Sequence, residues 1–423
     1  MFRRTSARLE TQVNPGSGEK RGPSAAPVPI RVAYIIPGLH YGGMERLLND
    51  LTKALPPRGF EVHVVVVVGF GRFADGLREV ADLHQVPPMS KISLLYPWQL
   101  IKMLRSIAPD VVHSHSGVWF RASRAAQLAG VPVLIHTEHG RPVAERVTDR
   151  LIDNLASRST DLVIAVSETL AEVLRRRVVH DPRRLRVIAN GVDVDRLRPS
   201  SDASGLRRDL AIPDSTPVIG SVGRLEPVKN YRLALRALSQ IEEVDGGPPP
   251  LLVLVGDGSE RGLLDELART LGIADRVRFL GWRDDVERLY GAFDIFTLTS
   301  RSEGMSVSLL EAMSAGLCPV VTDVGGNRGV LGPDLASLLV PSDDAAALAA
   351  AWRRHLLDVE LRRDMGRRAR ARVQSEFSLE RMVESHIEIY RQLTKAAGLE
   401  RQTGVTRRSD RVDSPGSTNE GGS

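Results

Sequence analysis

Two glutamates eight residues apart, Glu303 and Glu311, carry the most specific chemistry in the chain. Glu303 lies in Ser302-Glu303-Gly304-Met305-Ser306, just ahead of an apolar run that predicts a helix near Ser306 to Ala315, and Glu311 lies inside that run. Val307 and Ala315 stand one turn away from Glu311 in each direction, so its carboxylate is expected to enter apolar surroundings and to need hydrogen-bond partners. Sugar hydroxyls would serve. Eight helical residues rise roughly 12 Å, about the span from the ribose to the sugar of a nucleotide sugar. The plainer reading is a helix cap at Ser302 or Glu303 with Glu311 on an exposed face. Cationic groups come from Gly223-Arg224-Leu225-Glu226-Pro227-Val228-Lys229-Asn230. Lysine is scarce, with only Lys20, Lys53, Lys91, Lys102, Lys229 and Lys395 in the whole chain. Lys229, five residues after Arg224 at a strand's carboxyl end, is placed as a point charge for a diphosphate, or else is a solvated loop charge.

Glycines and histidines supply the other candidates. Pro37-Gly38 and Tyr41-Gly42-Gly43 precede a helix predicted from Met44, a turn whose amides could approach an anion or could simply be tight. The spacing is not the dinucleotide fingerprint, and the second strand ends at Gly69 without an acidic residue, so a nicotinamide-dependent oxidoreductase fits poorly. His113 and His115 end one predicted strand, and Thr137-Glu138-His139-Gly140 ends the next. A His-x-His pair suggests zinc, yet no third or fourth ligand stands nearby, so no metal is expected. Asp193-Val194-Asp195 falls in a turn-rich boundary, where aspartate serves turn geometry.

The elements that must position these residues follow from length and pattern. At 423 residues the chain is too long for one hydrophobic core. A single cysteine, Cys318, excludes an intramolecular disulfide and suits a reducing compartment. Net charge is +5, but Arg3, Arg4, Arg8, Lys20 and Arg21 against Glu10 and Glu19 put most of it in the Pro/Gly/Ser-rich residues 1–29. With aromatics at 4%, nucleic-acid binding is not expected. The longest aliphatic run, Val64 to Val68, is far short of the ~20 residues that span a bilayer, and neither a signal peptide nor a membrane span is expected.

From Ile30 short apolar strands alternate with helical stretches (IRVAYIIP, HVVVVVG, DVVHSH, VPVLIHT, DLVIAVS), and after NGVDVDRLRPSSDASG the alternation restarts with PVIGSVG, PLLVLVGDG, VRFLG, DIFTLTS and CPVVTD. Strands apolar on both faces mean parallel sheets covered by helices. The predicted fold is α/β, two Rossmann-like doubly wound parallel-sheet domains facing across a cleft, with ligand at the carboxyl ends of the strands. The expected boundaries are 30–195 and 196–378, with a last helix near 379–396 crossing back onto the first domain. Residues 1–29 and 398–423 are expected to be disordered tails.

Taken together, these segments resemble the group 4 family of retaining glycosyltransferases, which have the two-Rossmann GT-B architecture. The carriers are GGMERLL (42–48), DVVHSH (110–115), HTEHG (136–140), NGVD (190–193), VGRLEPVKN (222–230), VGDG (255–258) and SEGMSVSLLEAMSAGLCPVV (302–321). The likeness spans about 30–396 and is greatest to transferases of bacterial exopolysaccharide clusters. It implies that Gly42 and Gly43 approach the donor diphosphate, that Arg224 and Lys229 neutralise it, and that Glu311 holds the ribose. Glu303 would bind the transferred sugar, with Gly304, Met305 and Ser306 beside it; His139 would adjoin the reacting centre and His115 the acceptor side. Asn327-Arg328-Gly329-Val330 departs from relatives that carry an acidic residue there. The implied reaction is metal-independent transfer from a nucleotide-diphosphate sugar, with retention, to a glycan or lipid-linked acceptor, without a cofactor. The implied place is the cytoplasm at the inner membrane face, where Arg175, Arg176, Arg177, Arg183 and Arg184 could meet anionic lipid. A sugar-nucleotide epimerase of the same architecture and a catalytically silent sugar-nucleotide-binding subunit are the alternatives.

Overall fold

The computed structural model describes residues 28–39, 42–87, 96–141, 146–199 and 202–399, without the side chains of 72 and 73. The tails expected at 1–29 and 398–423 lie, apart from their inner two residues, outside the described residues.

The first half is a seven-stranded parallel sheet of order β3-β2-β1-β4-β5-β6-β7. Its strands are β1 (Ile30–Gly38), β2 (Phe60–Gly69), β3 (Asp82–Gln85), β4 (Val111–His115), β5 (Val133–Glu138), β6 (Leu162–Ala165) and β7 (Leu185–Val187). The second half is a six-stranded parallel sheet, order β10-β9-β8-β11-β12-β13, made of β8 (Val218–Val222), β9 (Leu251–Val255), β10 (Val277–Gly281), β11 (Ile295–Leu298), β12 (Cys318–Thr322) and β13 (Leu339–Val340). Val32 to Ile36 of β1 and Leu252 to Leu254 of β9 are fully buried on both faces, which requires helices above and below each sheet. Strand order reverses between β1 and β4 and again between β8 and β11. A crevice therefore opens at the carboxyl ends at both points.

Three local features aim residues at that crevice. Helix α1 (Gly43–Ala54) starts just past the end of β1 and turns Leu47, Leu48 and Leu51 inward. The helix Val307–Ser314 starts where the Ser306 hydroxyl accepts from the Leu309 amide, and nearly every face of it is apolar and buried. Between the halves, Asp193 Oδ1 accepts from the amides of Asp195 and Arg196, the turn role expected of that segment.

The chain crosses between the halves a second time beside the first. Val192 N donates to Phe377 O and Leu379 N donates to Val192 O, after which the helix Leu379–Ala396 lies against the first sheet. There the Tyr390 hydroxyl contacts the Tyr34 hydroxyl at 2.9 Å and His113 Nδ1 at 2.7 Å. Among the described residues no helix is long and apolar enough to cross a membrane.

Candidate functional site

Both switch points open into one cavity of about 700 Å³ between the halves. Gly42, Gly43 and His139 line it from the first half; Arg224, Lys229, Glu303, Met305, Ser306 and Glu311 line it from the second. The N-termini of α1 and of the helix Val307–Ser314 converge there, since a Cβ on Gly43 would stand 3.0 Å from Val307 Cγ2. Helix N-termini present unpaired amides and a partial positive charge, so the cavity floor suits an anion.

Lys229 closes the short turn Pro227–Lys229, held by Asn230, whose side chain donates to Asp343 at 2.8 Å. Its ammonium donates to Glu303 Oε1 at 2.6 Å, and the Ser300 hydroxyl donates to the same oxygen at 2.6 Å. The two residues expected to serve the diphosphate and the sugar are thus counter-charges of one another, and ligand must share them. Arg224 stands exposed on the same wall.

Gly304 does not line the cavity; it is wedged between the halves. A Cβ there would fall 1.9 Å from the His139 carbonyl oxygen, and one on Gly325, at φ +52°, would fall 1.7 Å from that of Glu303. The loop bearing Glu303 therefore passes backbone against backbone under the strand end bearing His139. Only glycine allows that approach.

His115 is, with Gly304, an expected site residue that does not line the cavity. Parallel pairing sets His115 opposite Thr137, and its ring is buried against that of His139. His115 Nδ1 and His139 Nε2 are 2.8 Å apart and the rings stack at 5.1 Å; His113 stacks behind His115 at 4.7 Å. Burial lowers the pKa of His139 to about 4, against the partial pull of Glu138, and pushes His115 well below its usual value. His139 is therefore neutral at physiological pH. Glu138 is an anion: burial works to raise its pKa, but His136, Arg141 and the Ser116 hydroxyl together hold it at about 2.

Sequence reasoning missed Arg46, Tyr290, Glu287 and Arg196. Glu311 Oε2 accepts from the Tyr290 hydroxyl at 2.7 Å, while Oε1 lies 2.9 Å from Arg46 Nε without an aligned hydrogen bond. Arg46 Nη2 also meets Glu287 Oε1 at 2.5 Å, and Arg196 Nε meets that oxygen at 3.2 Å. Arg46 is the fifth residue of GGMER, and position on the first turn of α1 was the one available signal.

Comparison with known proteins agrees with this geometry. Residues 41–196 match the family model described as Glycosyltransferase Family 4, and residues 202–372 match Glycosyl transferases group 1. The chain is 27% identical to the UDP-Gal:alpha-D-GlcNAc-diphosphoundecaprenol alpha-1,3-galactosyltransferase of Escherichia coli, over 85% of this chain and 96% of that one. It is 31% identical to a D-inositol 3-phosphate glycosyltransferase of Salinispora arenicola, over 68% and 70% respectively. Among solved structures, Anabaena HepE in complex with UDP and glucose superposes with a TM-score of 0.76 at 23% identity, covering 86% of this chain and all of that one. With two parallel α/β halves closing on one cavity and both halves matched by transferase families, the chain belongs to the group 4 family of glycosyltransferases and has the GT-B fold.

Proposed function

We propose that the protein moves a sugar from a nucleotide-diphosphate donor to a lipid-linked glycan acceptor with retention of anomeric configuration, in the synthesis of a bacterial surface polysaccharide. The observation that carries this is the meeting of Lys229, Glu303, Glu311 and two helix N-termini in one cavity. Negative charge grows on the departing diphosphate, and groups already aimed at it stabilise the transition state without reorganising. Arg224, Lys229 and the amides at Gly42 and Gly43 are those groups. Glu303 faces the transferred sugar and Glu311 the ribose; His139, neutral, offers a hydrogen bond but no charge. The leaving phosphate takes the acceptor's proton on the same face, so no protein nucleophile is needed. Since protein cations meet the diphosphate, the transfer is metal-independent.

The Escherichia coli relative named for a GlcNAc-diphosphoundecaprenol acceptor supports the lipid-linked acceptor. So does the helix Val147–Arg158, which begins shortly after His139. Val147, Leu151 and Leu155 form one outward stripe, 60%, 57% and 52% exposed, with Arg146, Arg150 and Arg158 on the same helix or at its start. Arg158, Arg183 and Arg184 gather around a recess beyond its end, which Asp181 also lines. An apolar stripe edged by arginine suits an anionic bilayer surface, where each basic side chain adds about 1 kcal/mol. On the other side of this helix Asp153 accepts from Arg141 at 2.6 Å, and Arg141 also donates to Glu138, so the stripe is coupled to the strand end before His139.

A thermal-shift screen of nucleotide sugars in the presence of chelator tests the reading, because a ligand bound only by the folded state raises Tm by mass action. One donor, and its nucleoside diphosphate, should stabilise. Stabilisation by no nucleotide sugar, or only when a divalent ion is restored, would overturn it.

A further inference from the structure

Glu311 is 3% exposed, on a helix otherwise made of Val307, Leu309, Leu310, Ala312, Met313 and serines. A carboxylate there loses its hydration and, left alone, takes up a proton instead of remaining charged. Within its own half its contact is the neutral Tyr290 hydroxyl on Oε2. The cation comes from the other half: Arg46 reaches across the cavity to within 2.9 Å of Oε1, and is itself anchored on Glu287. Oε1 is buried yet has no aligned hydrogen bond, so it retains acceptor capacity for a ligand hydroxyl.

We infer that Arg46 is a positioning residue that completes the nucleoside site from the opposite half, holding the Glu311 carboxylate in place and aimed at the bound nucleoside. The inference rests on the proposed role of Glu311 toward the ribose. A ribose hydroxyl donates more strongly to an ionised Oε1 than to a neutral carboxyl, and protonation would turn one of the two carboxylate oxygens into a donor.

The groups facing Glu311 set the direction of the effect. Burial raises its pKa above the ordinary carboxylate value; Arg46 opposes this most strongly, then the Tyr290 hydroxyl and Arg196, while Asp50 on α1 adds to it. Burial also works against the guanidinium, but Glu311 and Glu287 together hold the Arg46 pKa above its usual value, so Arg46 stays charged. Removing Arg46 therefore pushes Glu311 further up. Each pH unit by which that pKa exceeds the working pH lowers the ionised fraction tenfold.

The test is the affinity of the nucleoside diphosphate by calorimetry, from pH 6 to 8.5, for the full chain and four variants. Glu311→Gln should weaken binding about tenfold or more at every pH. Arg46→Met should weaken it measurably at pH 6 and recover as pH rises, a slope steeper than that of the wild type. Arg46→Lys, which keeps the charge, should restore most of the affinity. In the double variant Arg46→Met/Glu311→Gln the loss should be no greater than in Glu311→Gln alone. Unchanged affinity in Arg46→Met, or a pH-independent loss that adds to that of Glu311→Gln, would overturn the inference. Wild-type affinity in Glu311→Gln would instead overturn the ribose assignment beneath it. If Arg46→Met does not fold, Arg46→Gln takes its place under the same criteria.

Discussion

Gly304→Ala should abolish most turnover while leaving each half folded and the donor bound. The added Cβ would stand 1.9 Å from the His139 carbonyl oxygen and 2.7 Å from its carbon, where a relaxed carbon–oxygen contact needs about 3.3 Å. The halves must then part by roughly 1.4 Å at the point where Glu303 and His139 meet across the cavity. A displacement of that size at a reacting centre costs on the order of a hundredfold in rate, about 2.7 kcal/mol of transition-state stabilisation. The second half itself is untouched, since Gly304 is not among the residues of positive φ and alanine can adopt its backbone. Steady-state kinetics, calorimetry with the nucleoside diphosphate and thermal unfolding separate the terms. The expected result is kcat down about a hundredfold with affinity within a few fold and Tm nearly unchanged. Wild-type kcat would refute the premise that this closed contact belongs to the reacting state.

Glu303→Gln should depress kcat by about a hundredfold or more while nucleoside diphosphate affinity holds or tightens, because Lys229 loses its counter-charge; a tenfold loss of that affinity would argue against the assignment. Burial depresses the folded-state pKa values of His113, His115, His139 and His386, the last two to about 4, so below about pH 6.5 the unfolded chain binds protons that the folded chain does not. Stability should be full above that pH and fall as pH drops toward 4, by up to ~1.4 kcal/mol per pH unit for each histidine, and a flat Tm between pH 7.5 and 5 would contradict this. Leu151→Asp with Leu155→Asp should reduce cosedimentation with anionic vesicles without altering donor affinity, and equal binding by wild type and variant would remove the stripe from the membrane reading.

The fold was legible because β1, the second half of β2 and β9 are runs apolar on both faces, the pattern of covered parallel sheets, and the shorter strands repeat at regular spacing between helical stretches. β3, with the sequence Asp82-Leu83-His84-Gln85, was not, since this edge strand carries a single apolar residue, and neither was β13, which is only two residues long. The residues that gather at the cavity were legible where chemistry is local in sequence: Glu303 with Glu311, Arg224 with Lys229, Gly42 with Gly43. What depends on packing between elements was not. That His115 packs against His139 and stays off the cavity wall depends on the pairing of β4 with β5, which the sequence does not display. Arg46 looked like any helix arginine, because its partners Glu287 and Glu311 lie more than 240 residues away in the other half.

The most direct test of the proposed reaction is the anomeric configuration of its product. The protein would be given the donor found by thermal shift and a short-chain, diphosphate-linked sugar acceptor, and the new linkage read from the anomeric proton coupling by NMR. The account predicts product only when both substrates are present, with the donor's configuration retained. An inverted linkage, or an isomerised nucleotide sugar formed without acceptor, would contradict it.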